Sequence, residues 1–243
     1  MSLIVFRIIG WFVVVVFISL VTVNGYTPFG SDKYAVTPNN SSIAHAGILY
    51  GENYSLSERL STEDLGLVKK YSSEYGIDHL LIMAIIAQES QFDITAESQR
   101  GAVGLMQLMP VTSAEIANNI DLDETHVVAG NIKSGIYYFT KLFQLFTNAN
   151  AEDHFCLTLA AYNAGPSRIY DAQELAAYMG ENPNSWSTIQ KILPLLSKRY
   201  YSLHQAVWSD GRPPSGYFGS SRQTISYVEN TMKIYKDILQ KKS

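Results

Sequence analysis

Leu80-Leu81-Ile82-Met83-Ala84-Ile85-Ile86-Ala87-Gln88-Glu89-Ser90 is the stretch that decides how this chain folds. Ile82, Ile85, Ile86 and Glu89 fall at i, i+3, i+4 and i+7, so a helix puts the carboxylate on a face shared with core residues. Asp78 is placed to cap that helix. Just upstream, Ser61-Thr62-Glu63-Asp64 opens another in the manner of a capping box, and Gly76 closes it. An acid at the end of so apolar a helix is partly desolvated, which raises its pKa towards the range where it can donate a proton near neutrality. Glu89 therefore reads as a general acid.

Downstream the pattern stays helical. Pro110 stops the Met106-Gln107-Leu108-Met109 segment from becoming a helix, and Thr112 with Glu115 starts the next. A further helix is predicted from about Glu124 to Phe146, with Ile132, Ile136, Phe139, Phe143 and Phe146 as its apolar stripe. Others cover Glu152 to Ala164, Pro166 to a stop at Gly180, Ser185 to Leu196, and Ser221 to Gln240. No stretch alternates convincingly with period two, so the domain is predicted to be mainly α, with at most a minor β-hairpin in a loop. The stretch His204 to Thr224, rich in Gly, Pro and aromatics, reads either as a lid or groove wall or as a disordered loop.

Of the 243 residues, 47% are hydrophobic and 16% charged. After the N-terminal segment enough chain remains for one good core, which makes a single domain over residues 58–243 the expectation. A net charge of −4 and a pI near 5.7 argue against a nucleic-acid partner. The single cysteine, Cys156, rules out an intrachain disulfide and reads as a small core residue. The five histidines are scattered, and His154 with Cys156 lacks further ligands at zinc-like spacing, so no metal and no cofactor are expected.

Residues 8–23 form an apolar run preceded by Arg7, and Val23-Asn24-Gly25 offers small residues for a signal peptidase. Residues 1–25 thus read as a signal peptide or an N-terminal membrane anchor. A tether through residues 3–23 requires Arg7 to snorkel to the interface. The polar, turn-rich residues 26–57, centred on Thr37-Pro38-Asn39-Asn40-Ser41-Ser42, read as a linker. Export to the periplasm or cell envelope is the expectation.

Glu89-Ser90, Ser98, Gly104-Leu105-Met106-Gln107-Leu108-Met109-Pro110, Ala161-Tyr162-Asn163-Ala164-Gly165-Pro166 and Tyr227-Val228 resemble, in order and spacing, the successive motifs of the soluble-lytic-transglycosylase family. The tail, with Asn182-Pro183-Asn184-Ser185-Trp186 and Leu193-Pro194-Leu195-Leu196-Ser197, is most similar to the catalytic domain of the membrane-bound murein transglycosylase F branch. The solute-binding-like module that this branch normally carries is not expected within these 243 residues. The resemblance implies a goose-type lysozyme-like helical domain with a substrate cleft. It also implies cleavage of the β-1,4 bond between N-acetylmuramic acid and N-acetylglucosamine in peptidoglycan glycan strands, giving 1,6-anhydromuramyl products.

Most glycosidases need two carboxylates. If the muramyl 6-hydroxyl is the nucleophile, Glu89 can serve alone, as acid and then as base. Asp93, the nearest other acid in sequence, is either a second carboxylate or a turn cap. The resemblance makes Ser90, Ser98, Gly104, Gln107, Met109, Tyr162, Asn163 and Tyr227 candidates for substrate binding. Gly104 would allow close approach of a sugar, Gln107 would donate and accept hydrogen bonds at an N-acetyl group, and Met109 would offer a soft apolar surface. Tyr162 would hold Glu89 through its phenol, while Asn163 would shape the turn before Pro166. Two alternatives stand beside this reading: a hydrolytic muramidase of the same fold, and a non-catalytic glycan-binding envelope protein.

Overall fold

The structure is a computed structural model, and it describes residues 60–121 and 127–242; the expected signal or anchor over 1–25, the expected linker over 26–57 and the start of the helix predicted at Glu124 lie outside them. Local chemistry sets the first two helices. Helix α1 (Thr62–Tyr75) starts where the Ser61 side chain accepts from Asp64 N, and it ends on Gly76, whose φ of 69° places it in the left-handed region. Asp78 caps α2 (His79–Ser90) by accepting from Leu80 N. Every residue from Leu81 to Ala87 is buried, so α2 runs through the interior rather than presenting one apolar face. The helical spacing thus identified the helix but understated its burial.

The further helices are α3 (Pro110–Ala117), α4 (Val127–Phe143), α5 (Ala151–Ala164), α6 (Pro166–Tyr178), α7 (Trp186–Ile192), α8 (Tyr201–Val207) and α9 (Ser221–Lys242). Helix α9 packs along α2 and α5, while α1 packs on α4. Helix α3 begins at Pro110 itself, since a proline at the first helical position gives up only an amide that the helix could not have used. Helix α4 stops at Phe143, three residues short of the predicted end. Leu145 N and Phe146 N donate to the carbonyls three residues back, tightening the last turn and still burying Phe146. The segment predicted as one helix over 185–196 divides into α7 and a 3-10 turn, Leu193–Leu196, that contains Pro194. The β-hairpin reduces to isolated bridges, Glu97 with Val103 and Val103 with Leu108.

Two features of the fold position the loop over 96–108. Asn131 of α4 accepts from Met106 N at 2.9 Å and donates to Val103 O at 2.9 Å. Met106 is buried against Gly135, where an added Cβ would stand 2.7 Å from Met106 Cβ. The loop over 208–220 is likewise tied down, which favours the wall over the disordered reading. Trp208 Nε1 donates to Glu174 at 2.8 Å, Ser215 N donates to Asp171 at 3.1 Å, Phe218 N donates to Leu196 O at 3.0 Å, and the Arg168 guanidinium lies over the Phe218 ring. Burial pushes the Asp171 carboxyl up to about 6, with the Ser215 hydrogen bonds opposing it.

Gly135→Ala should lower stability by about 1–2 kcal/mol, overpacking outweighing the helix propensity that alanine adds. Gly130→Ala on the same helix meets nothing within 4 Å and should be neutral or stabilising. Urea unfolding midpoints of the two variants check this contrast.

Candidate active site

Glu89 ends α2 with its side chain half-buried, and Tyr227 of α9 donates its phenolic hydrogen to Glu89 Oε1 at 2.7 Å. Burial pushes the Glu89 carboxyl up to about 8, and the Tyr227 hydrogen bond pulls it part of the way back. Both Tyr227 and Tyr162 have phenol pKa values raised well above the ordinary value, by burial first and then by the charge of Glu89, so both hydroxyls stay protonated as donors. Each tyrosine also feels the other, which places Glu89, Tyr162 and Tyr227 in one electrostatic cluster.

Here the structure corrects one assignment. Tyr162 donates to Met106 O at 2.8 Å, and the phenol that holds Glu89 belongs to Tyr227. The motif order suggested Tyr162, but α9 passes beside the end of α2 and brings its own tyrosine to the carboxyl. Tyr162 instead fixes the loop that carries Gln107 and Met109.

The remaining candidates fall into two groups. Ser90 is buried, donating to Ile86 O and accepting from Phe92 N, and Asn163 is buried with Oδ1 accepting from Thr224 Oγ1 at 2.9 Å. Ser90 is thus spent on backbone at the end of its own helix, whereas Asn163 keeps a buried Nδ2 with no hydrogen-bond partner. Ser98 closes its own turn, its hydroxyl accepting from Ala102 N at 2.9 Å. Asp93 is exposed and caps a turn by accepting from Thr95 N and Thr95 Oγ1, which holds its carboxyl below the usual range.

Gln107, Met109 and Gly104 stay with the loop. Gln107 Nε2 gives both hydrogens to backbone, to Ala96 O at 3.0 Å and Gly104 O at 2.9 Å, so Oε1 is what the side chain keeps for a ligand. That narrows its expected donor-and-acceptor role to acceptance. Gly104 has a φ of 76° and lies against Asn131, while Met109 is the half-buried N-cap of α3.

Three non-glycine residues among those described take positive φ: Gln91, Phe92 and Gln107. Each costs on the order of 1–3 kcal/mol and persists only where surrounding bonds impose it. Gln91 and Phe92 directly follow Glu89-Ser90, and Gln107 adjoins Met106, whose carbonyl Tyr162 of the same cluster holds. Asn131 and Gly135 are the site-supporting residues that sequence reasoning missed. The available signal was an asparagine, a weak helix former, beside the apolar stripe of its helix.

Residues 66–183 match the family model described as the transglycosylase SLT domain. The chain is 33% identical over 180 residues to membrane-bound lytic murein transglycosylase F of Desulfosudis oleivorans, covering 73% of this chain and 36% of that protein. It is 36% identical over 167 residues to the like-named protein of Nitrosospira multiformis, covering 68% and 32%. A solved complex of a 70-kDa soluble lytic transglycosylase with bulgecin A is similar with a TM-score of 0.50 at 25% identity, over 82% of this chain and 28% of that one. The chain thus spans about a third of the length of these curated relatives. The expected mainly α, lysozyme-like fold is borne out.

Between the ordinary glutamate value of 4.5 and about 8, the folded chain keeps a proton on Glu89 that the unfolded chain releases. Stability from this group is whole below 4.5 and is lost as pH rises through that window. Glu89→Gln should therefore be increasingly more stable than wild type from pH 4.5 to 8, by up to a few kcal/mol, and the gap should level off above. Denaturant unfolding of both proteins across that range is the check.

Proposed function

Because the chain belongs to the transglycosylase SLT family through residues 66–183, we propose that it is a peptidoglycan lytic transglycosylase that uses Glu89 as its single acid and base. The observation that carries this reading is the enclosed Glu89 carboxyl, held by the Tyr227 hydroxyl and raised to about 8. At neutral pH such a group is mostly protonated and can donate. Asp93, pinned outside by Thr95, is poorly placed to supply a second carboxylate.

In the proposed reaction the Glu89 proton passes to the glycosidic oxygen, and the bond from that oxygen to the muramyl C1 breaks. The N-acetylglucosamine end leaves with its free hydroxyl. The muramyl O6 then bonds to C1, and its proton returns to the Glu89 carboxylate, so no water is consumed and the acid is regenerated. Tyr227 stabilises the carboxylate between the two transfers. Gln107 Oε1 accepts the N–H of an N-acetyl group, with Met109 beside it as apolar wall and Gly104 as the point of close approach. Tyr162 sets the height of that loop through Met106 O.

In this proposal residues 58–243 are the catalytic domain, 26–57 the linker, and 1–25 the export signal or anchor that delivers it to the cell envelope. Among the described residues no helix is long and apolar enough to cross a membrane, and residues 3–23 lie outside them.

Digestion of purified peptidoglycan should give muropeptides with 1,6-anhydromuramyl ends, identified by mass. Reducing ends alone would instead indicate a hydrolytic muramidase, and glycan binding without turnover a scaffold. Glu89→Gln should lower turnover by about 10²- to 10⁴-fold. The basic limb of kcat/KM against pH should fall near 8, and Tyr227→Phe should move it upward, because losing the donor destabilises the carboxylate. A limb at the ordinary glutamate value refutes the desolvated acid.

A further inference from the structure

We infer that Asn131, on the face of α4 turned to the loop over 103–108, is a positioning residue that presents Gln107 to the glycan. This rests on the proposed reading of the site. Three observations converge on the side chain. Its Oδ1 takes the Met106 amide and its Nδ2 holds the Val103 carbonyl, each at 2.9 Å, so one carboxamide bridges the loop across Gly104 and Leu105. The same carboxamide fills the space at Gly104, where an added Cβ would stand 2.7 Å from Asn131 Cγ. And Asn131 satisfies a loop donor that the loop's own bonds omit: Val103 N pairs with Leu108 O and Leu108 N with Val103 O, Gly104 N donates to Ala96 O, and Gln107 N donates to Gly104 O, while Met106 N goes to Asn131, whose Nδ2 is a second donor to Val103 O.

The consequence falls on Gln107. Its φ of 47° is unfavourable for a residue with a side chain, and its amide is spent on Ala96 O and Gly104 O. Both anchors hold only while Gly104 keeps its place. Met106, one residue before Gln107, is gripped from two sides, Asn131 on its amide and Tyr162 on its carbonyl. Remove Asn131 and the loop keeps its ends but loses its middle, so Gln107 Oε1 is no longer pre-set. The cost of ordering it then falls on substrate binding.

The test uses the full chain with Asn131→Ala, Asn131→Asp and wild type. Asn131→Asp retains the acceptor for Met106 N and loses the donor to Val103 O. Steady-state kinetics on soluble glycan strands should give Asn131→Ala a KM raised at least about tenfold with kcat within a few-fold of wild type, and Asn131→Asp an intermediate KM. The basic limb set by Glu89 should not move. A KM equal to wild type in both variants, or a loss confined to kcat in proportion to unfolded protein, overturns the inference. If Asn131→Ala does not fold, the Asn131→Asp KM decides by the same criterion. A parallel arm measures calorimetric binding of an N-acetylglucosamine oligosaccharide to Glu89→Gln and Glu89→Gln/Asn131→Ala. Weaker binding in the double variant supports the role of Asn131 even if wild type yields no anhydro product, and equal binding refutes it whatever the product.

Discussion

The antiparallel pairing of α2 with α9 is the constraint on which the rest depends. A carboxyl at the end of an apolar helix needs a polar partner, because burying it without one costs several kcal/mol. Helix α9 supplies two tyrosines eight residues apart, Tyr227 to Glu89 at one end of α2 and Tyr235 to Asp78 at the other, each at 2.7 Å. Asp78 also caps α2, so the phenol of Tyr235 and the start of the helix share one carboxylate. With both ends fixed, α2 cannot slide along α9 without breaking one bond, and the apolar run between them is free to be buried on all sides.

The same economy governs the loop over 96–108, which Tyr162 ties to the neighbourhood of the acid. A loop at the edge of a core must satisfy its backbone polar groups or lose stability. Short bridges, the Gln107 carboxamide, the Asn131 carboxamide and the Tyr162 phenol do this over 96–108. Rigidity here follows from that accounting. The positive φ of Gln107 is the strain that these bonds hold in place, while those of Gln91 and Phe92, just after the acid, are held by bonds to Ala87 O and Ser90 Oγ.

How much was legible in the sequence follows from which interactions are local. Caps at Ser61, Asp78 and Gly76, the start of α6 at Pro166 and the identity of α2 are short-range effects, and the residues alone were enough to read them. The motif strings likewise pointed to Glu89 and to the loop over 104–110. What could not be read was which distant side chain meets which. Tyr162 and Tyr227 were both on hand, and only the packing of α9 across 138 residues of sequence separation assigns the carboxyl to the second. Asn131 is 25 residues from Met106 and lies outside the motif strings quoted from the sequence. Helix α4 ended early because its last turn tightens, and the helix expected over 185–196 changed type at a proline, both effects of a turn or two that periodicity does not resolve.

The placement of the acids bears on the chemistry more than their number. A two-carboxylate glycosidase keeps its second acid ionised and within reach of the sugar. Here the carboxyl next in sequence is exposed and occupied by Thr95, while Glu89 is enclosed and carries a donor that favours its charged form only in part. A lone acid that must give up a proton and then recover one needs a pKa near the working pH in both directions. Desolvation alone would hold the proton too tightly, and a strong cation beside it would release it too readily. In the proposed reaction a neutral phenol is the intermediate solution: it lowers the cost of the carboxylate between the two transfers without making that state the resting one. That balance, set by the reach of α9, is what the proposed ring closure would ask of a carboxyl acting in turn as acid and base.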